Sequence, residues 1–368
     1  MSLADGTIHI YSTAPQSSRF SSADYLDRVV QVSRWSEQAG CTGMLVYTDN
    51  SLVDPWLLSQ VVLENTEQLA PLVAVQPVYM HPYSVAKMVS SLAYFYKRRI
   101  CLNMVAGGFR TDLTALCDDT PHDRRYERLF EYTRIVQMLL GQTTPATFEG
   151  AYYEIRDLAL QPSMPAELEP RIFVSGSSGA GSSAAKLLQA IAVEYPKPGE
   201  EYELSARCEN SGIRIGIIAR EDREQAWKLA WQRFPSDRKG QLAHRMAMKI
   251  SDSEWHQQLS AIEREIREQE TIYWLWPFKN YQTFCPYLVG SFEEVADELA
   301  KYVRAGFTHY ILDIPAEETD LLNTGTVFQI AVEKAALPAL SSNSRRASAP
   351  EPFSTDSLSA AARTELPV

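Results

Sequence analysis

The chain has 368 residues, 45% of them hydrophobic, which is enough to bury a large core, either as one barrel-sized domain with a tail or as two domains. Its 35 basic and 46 acidic side chains leave a net charge of −11, which disfavours nucleic acid and anionic membrane surfaces as partners and points to a small ligand. No apolar run approaches the length of a membrane span, and the opening MSLADGTIHIYS lacks a basic region followed by an apolar core, so a cytoplasmic protein is expected. The five cysteines, Cys41, Cys101, Cys117, Cys208 and Cys285, have neither CxxC nor histidine-coupled spacing; they read as reduced, mostly buried thiols, not as a disulfide framework or a metal site.

In chain order, Thr7–Tyr11 reads as a short strand, and Ser22–Gln38 as a helix with Tyr25, Val29, Val32 and Trp35 at helical spacing, ended by Gly40. Gly43–Tyr47 is a buried strand, Leu52–Leu63 a helix, Leu72–Val75 a strand, and Ser84–Tyr96 a helix carrying Met88 and Leu92 inward. Ile100–Val105 is a fourth strand, and Asn103 interrupts its apolar run. A buried amide needs partners for two donors and an oxygen, which a flat heterocycle with carbonyl and imino groups would supply, although a loop could satisfy it too. Gly107 and Gly108 turn the backbone at the strand's carboxyl end, where parallel α/β folds hold ligands. Thr120 then reads as an N-cap and Pro121 as the first position of a helix to Leu140, with a stripe of Tyr126, Leu129, Tyr132, Ile135, Val136 and Leu139. His122, Arg125 and Tyr126 fall in the first turn and a half, where free amides attract anions such as a phosphate; the plainer reading pairs Arg125 with Glu127 or Asp123 on a solvated face.

ATFEGAYYEI, residues 146–155, reads as an irregular strand or hairpin, followed by a proline-bearing connection and a fifth main strand, Arg171–Ser175. Gly176-Ser177-Ser178-Gly179-Ala180-Gly181-Ser182-Ser183 comes next, with a helix expected from Ala184. The glycine spacing imitates a P-loop, but Ser182 stands where that motif needs lysine, which excludes a nucleoside triphosphatase. The amides here and the hydroxyls of Ser177 and Ser178 could hold a monophosphate; a plain Gly/Ser turn is the alternative. Ala190–Glu194 and Gly212–Ala219 are further strands, and Arg214 on the second is expected either to pair internally or to face a pocket. Glu221–Phe234 is a helix, Gly240–Glu270 a polar helical stretch, and Tyr273–Tyr287, YWLWPFKNYQTFCPY, an aromatic segment suited either to core packing or to a lid. Ser291–Ala305 carries a capping box through Glu294 and ends at Gly306; Thr308–Asp313 is the eighth strand and Glu317–Ala335 the last helix. Eight strand–helix pairs predict a (β/α)8 TIM barrel over residues 1–337 with insertions, followed by a disordered tail at 338–368; a doubly wound sheet is the other α/β arrangement compatible with the pattern.

Five pieces together resemble the bacterial luciferase-like flavin monooxygenases, in the alkanesulfonate monooxygenase branch: CTGMLVYTDN with Asp54-Pro55-Trp56, NMVAGG from Asn103, HDRRYER from His122, FVSGSS from Phe173, and LVGSFEEVADELAKYVRAGFTHYIL near the end. The likeness spans roughly Gly6 to Leu337. It implies a barrel holding FMN at the carboxyl ends of the strands, reduced by a separate flavin reductase, and a flavin peroxide that oxygenates a small organic substrate with O2. Carried over, Asn103 would face the flavin ring, Thr48 and Gly107 would border it, His122, Arg125 and Tyr126 would reach the phosphate side, and Gly176, Ser177 and Ser178 would hold the phosphate. Arg214 would stabilise the peroxide or an acidic substrate group, and His81 would transfer a proton, against its plainer reading as a loop residue. A homodimer or homotetramer is expected. The branch's histidine two residues after the arginine is absent, since Gly216 stands there, and Leu52 replaces its cysteine, so the flavin chemistry carries over better than the sulfonate substrate. Two other readings compete: a deazaflavin-dependent hydride-transfer oxidoreductase, and a non-catalytic flavin-binding relative.

Overall fold

The computed structural model describes residues 8–107, 110–176, 178–202, 210–250 and 271–336, except for the side chains of 243, 245 and 247–250. Eight parallel strands form the barrel: β1 (His9–Thr13), β2 (Gly43–Val46), β3 (Ala70–Val75), β4 (Cys101–Val105), β7 (Ile172–Ser175), β8 (Ile191–Glu194), β9 (Ser211–Arg220) and β12 (His309–Leu312). The ring closes because β9 pairs with both β8 and β12, and β12 pairs with β1. An open doubly wound sheet is thereby excluded. Two short strands, β5 (Ala146–Glu149) and β6 (Glu154–Leu158), form the expected hairpin. Its turn is anchored by the Glu131 carboxylate, which accepts from the amides of Ala151, Tyr152 and Tyr153. Strands β10 (Tyr273–Trp274) and β11 (Tyr287–Ser291) extend the sheet outside the ring through β9.

Side-chain alternation sorts each barrel strand into two faces. Tyr11, Leu45, Leu72, Cys101, Phe173, Ile191, Val193 and Ile311 come from seven strands yet form one cluster, which only the barrel interior allows. Their neighbours Leu102, Met104 and Val174 pack outward on helices, as do Ile213 and Ile215. Asn103, two residues beyond Cys101, therefore points inward near the carboxyl end, as does Arg214, which lies beside Ile311 in the register.

Helix boundaries follow local chemistry. Ser21 accepts from the Asp24 amide to start Ser22–Gln38, Asp54 caps Pro55–Asn65, and Ser291 with Glu294 makes the expected capping box of Phe292–Ala305. Four expectations need correcting. Thr120 does not cap the helix His122–Gly141: Pro121 holds the cap position, and the Thr120 hydroxyl donates to Asp118 instead. Met88 is 41% exposed, because Val85, Val89, Leu92 and Ala93 make the inward face of Pro82–Tyr96. The helix expected from Ala184 starts at Gly179, capped by Ser178, since close packing of small residues outweighs their poor helix propensity. The Leu52–Leu63 helix starts only at Pro55. Of the polar helical stretch, Arg238–Ile250 is a helix and 251–270 lie outside the described residues, as do the tail after Pro338 and Cys208. Cys101 and Cys285 are buried, Cys41 is half-buried, and Cys117 is exposed. Among the described residues no helix is long and apolar enough to cross a membrane.

At the amino end of the barrel His309 packs edge-on against Phe173 at 5.4 Å and lies 4.8 Å from His9. Burial, reinforced by the charges of His9 and Arg171, pushes its imidazole down to about 3. Because the folded state resists this proton and the unfolded state accepts it near 6.5, the stability this implies is complete above pH 6.5 and is lost as pH falls toward 3. Replacing His309 with Gln is expected to flatten the dependence of unfolding free energy on pH across that window by about one proton, or ~1.4 kcal/mol per pH unit. Urea unfolding at a series of acidic pH values measures it, and equal slopes in parent and variant would refute the assignment.

Candidate functional site at the carboxyl end of the barrel

Three groups of side chains meet at the carboxyl ends of the strands. The first surrounds Asn103, which is 6% exposed. Its Oδ1 accepts from the Ser175 hydroxyl on β7 at 2.8 Å, so its amide nitrogen remains to donate into the barrel mouth. Gln76, buried after β3, directs its amide toward the Thr48 carbonyl at 3.5 Å, bordering the site from β2 and β3. Gly107 has φ +139°, and a Cβ there would meet Leu113 at 2.9 Å, so the turn needs glycine. Gly108 lies outside the described residues.

The second group joins two helix starts. An ideal Cβ on Gly176, φ +152°, would stand 2.1 Å from the Tyr126 hydroxyl, and one on Gly181 would stand 2.7 Å from the Gly176 carbonyl oxygen. The first turn of Gly179–Leu188, the end of β7 and Tyr126 therefore touch backbone to side chain. Ser178 accepts from the Gly181 amide at 3.2 Å, and its hydroxyl hydrogen is left to donate. Arg125 is buried beside Tyr126, and His122 packs edge-on against Tyr126 at 5.2 Å while its Nδ1 meets Asp123. Ser177 lies outside the described residues. Sequence reasoning missed the pair that pins this helix start: Arg128 makes a fork onto Asp118 at 3.2 and 2.6 Å. The signal was an aspartate just before the helix and an arginine on its second turn.

The third group surrounds Arg214, 8% exposed on β9. Its guanidinium carbon lies 4.7 Å above the Tyr47 ring, and Nη2 is 3.9 Å from Asp313 Oδ1, too far for a hydrogen bond. Asp313 in turn accepts from the Tyr287 hydroxyl at 2.8 Å. Burial first, and Asp313 second, push the Tyr287 phenol well above its ordinary value. Arg214 thus has an internal counter-charge in Asp313 and sits on the inward face of β9. Asp313 and Tyr287 were not singled out from sequence. His81 is an exposed N-cap, its Nδ1 accepting from the Tyr83 amide at 3.2 Å, which leaves only Nε2 for proton transfer. The aromatic segment is core packing, not a lid: Trp274 lies 5.3 Å from Trp227 and 5.1 Å from Trp231, while Phe278 and Tyr287 are buried.

The family profile described as luciferase-like monooxygenase matches residues 7–309. Over 333 residues, 88% of this chain and 97% of the relative, the sequence is 33% identical to the 4-(gamma-L-glutamylamino)butanoyl-[BtrI acyl-carrier protein] monooxygenase BtrO of Niallia circulans. The fold is similar to that of DmoA from Hyphomicrobium sulfonivorans, with TM-score 0.69 and 15% identity over 90% of this chain and 88% of that one. It is also similar to the oxygenating constituent of 3,6-diketocamphane monooxygenase from Pseudomonas putida, solved in complex with FMN, with TM-score 0.64 and 13% identity over 90% of this chain and 98% of that one.

The Asp118–Arg128 fork is partly buried. Burial of Asp118 opposes its charge, but the bonds from Arg128 and Thr120 prevail and hold its carboxyl down at about 2. The pair's contribution is therefore present above pH 3.8 and is lost as pH falls toward 2. Asp118→Asn is expected to lower unfolding free energy at neutral pH by about 1–3 kcal/mol, because it leaves a partly buried guanidinium without its counter-charge, and adding Arg128→Met should restore part of the loss. Equilibrium urea unfolding of the single and double variants checks this; a double variant no more stable than the single would show that the pair does not act as a unit.

Proposed function

Because the chain belongs to the luciferase-like monooxygenase family, we propose that it is a two-component monooxygenase that uses reduced FMN from a separate reductase and oxygenates an acyl substrate at the carboxyl mouth of the barrel. The observation that carries the reading is the close contact of Tyr126 with Gly176 at the start of a helix, a cradle that any side chain at Gly176 would fill. A helix start with free amides suits a phosphate monoester. There the amides of Gly179 and Ala180, with the hydroxyls of Tyr126 and Ser178, would hold the phosphate, joined by Ser177 as the family resemblance implies, and His122 and Arg125 would line its approach. Asn103 would donate its amide nitrogen to the flavin ring, Gly107 would leave room for it, and Thr48 would border it.

Bound reduced flavin supplies the two electrons that, with two protons, take one atom of dioxygen to water while the other enters the substrate. The chain's own part is to hold, orient and keep dry. Arg214 donates to an oxygen acceptor at the reacting end of the mouth, and His81 offers Nε2 for proton transfer. Packed aromatics around Trp274 and Tyr287 exclude water from that wall. The name of the relative from Niallia circulans supports an acyl group carried on a carrier protein as the substrate class.

Tyr126→Phe combined with Ser178→Ala is expected to weaken FMN binding by roughly tenfold to a hundredfold for each bond lost, since a hydrogen bond to an anion contributes about 1.5–3 kcal/mol. Riboflavin, which lacks the phosphate, should bind parent and variant equally. Fluorescence titration with both flavins decides it: an equal loss for both would place the phosphate elsewhere.

A further inference from the structure

Arg214 is more than nine-tenths buried, yet two of its nitrogens, Nε and Nη2, have no hydrogen-bond partner. In a guanidinium these two N–H groups point along one edge, the fork that receives a pair of lone pairs from a carboxylate or a carbonyl oxygen. Burying such an edge with both bonds unmade is costly, so the geometry points to a ligand that completes it.

The neighbours limit what that ligand is. Asp313 is the counter-charge, but its Oδ1 stops 3.9 Å short of Nη2 while the Tyr287 hydroxyl holds Oδ2 at 2.8 Å. Tyr287 is itself seated tightly, because its ring packs on Gly216 where a Cβ would come within 2.3 Å of it. The Tyr47 ring covers a face of the guanidinium. The site thus already contains one positive and one negative group. A neutral acceptor fills the fork without adding charge, whereas an acid anion would be buried beside the Asp313 carboxylate, at a cost of like-charge repulsion.

We propose that the Arg214 fork binds a neutral carbonyl oxygen of the substrate, of the amide or thioester kind, and that Asp313, held off by Tyr287, is the specificity-determining residue that rejects a carboxylate there. This rests on the acyl-substrate reading above and narrows it. Asp313 acts through Arg214 and the ligand's charge, so it is a positioning residue.

Hexanamide and hexanoate are probes of nearly equal shape that differ in charge, and calorimetric titration of the full chain at neutral pH compares them. The parent is expected to bind hexanamide more tightly than hexanoate. In Asp313→Asn the ratio should swing toward hexanoate by about tenfold or more, because the repelling charge is gone while the fork remains. In Tyr287→Phe the released carboxylate should close onto Nη2 and weaken hexanamide without improving hexanoate, a result that stands even if Asp313→Asn fails to fold. Preference of the parent for hexanoate, no binding of hexanamide, or a ratio unchanged in folded Asp313→Asn each overturns the proposal. FMN titration of the same parent sample tests the flavin reading separately: a normal FMN affinity with an unchanged ratio strikes the carbonyl fork alone, and the expected ratio without FMN binding strikes the flavin reading alone.

Discussion

Strand β9 belongs to two sheets at once, and the mouth of the barrel depends on that division. Its first half bonds to β8 and β12 and closes the ring, while from Gly216 onward it leaves the ring and pairs with β11. Arg214 is therefore the last inward residue of β9 before the strand diverges, and the aromatic segment between β10 and β11 becomes the wall beside it. The divergent half is clamped from outside: Arg220 and Arg233 both engage Glu317 and Asp320, and Asn323 donates to the Ala219 carbonyl at 3.0 Å. Shared carboxylates between two arginines tie the end of β9 and the helix Arg223–Arg233 to the last helix, Glu318–Ala336. A network of this kind holds geometry more firmly than separate surface pairs would.

Two strands around the ring from β9, the helix start after β7 is built by backbone proximity. Glycine at 176 and 181 lets a helix start, a strand end and the Tyr126 ring occupy one small volume. Poor helix formers in the first turn of Gly179–Leu188 are tolerated because Ser178 caps them and because Gly181, Ala184, Ala185 and Leu188 are buried. The two ends of the mouth thus differ in charge logic. One gathers amides and hydroxyls that suit an anion, and the other sets a guanidinium against a carboxylate and is close to neutral.

Much of this was readable in the chain. Periodicity located all eight barrel strands to within a few residues, and the capping box at Ser291 and Glu294 came out as expected, because alternation and caps are local properties. Asn103, Gly107, Gly176 and Arg214 stood out because each breaks the apolar pattern around it at a strand or its end, and Tyr126 because it falls within the first turns of its helix. Thr120 misled because serine and threonine side chains choose between a helix amide and any nearer carboxylate, and Asp118 was nearer. Met88 misled because two adjacent helical faces were both apolar, and only the neighbouring helices decided which was covered.

By itself, the sequence determined the alternating strands and helices, which strand residues share a face with Arg214, and the glycine turns at the carboxyl ends, since these follow from side-chain alternation and backbone sterics. Tertiary structure alone decided that Asp313 and Tyr287, distant from Arg214 along the chain, stand beside it, and that the aromatic segment is core. Those outcomes depend on which strands the closed ring makes neighbours, and a ring joins residues whose separation in sequence carries no local signal.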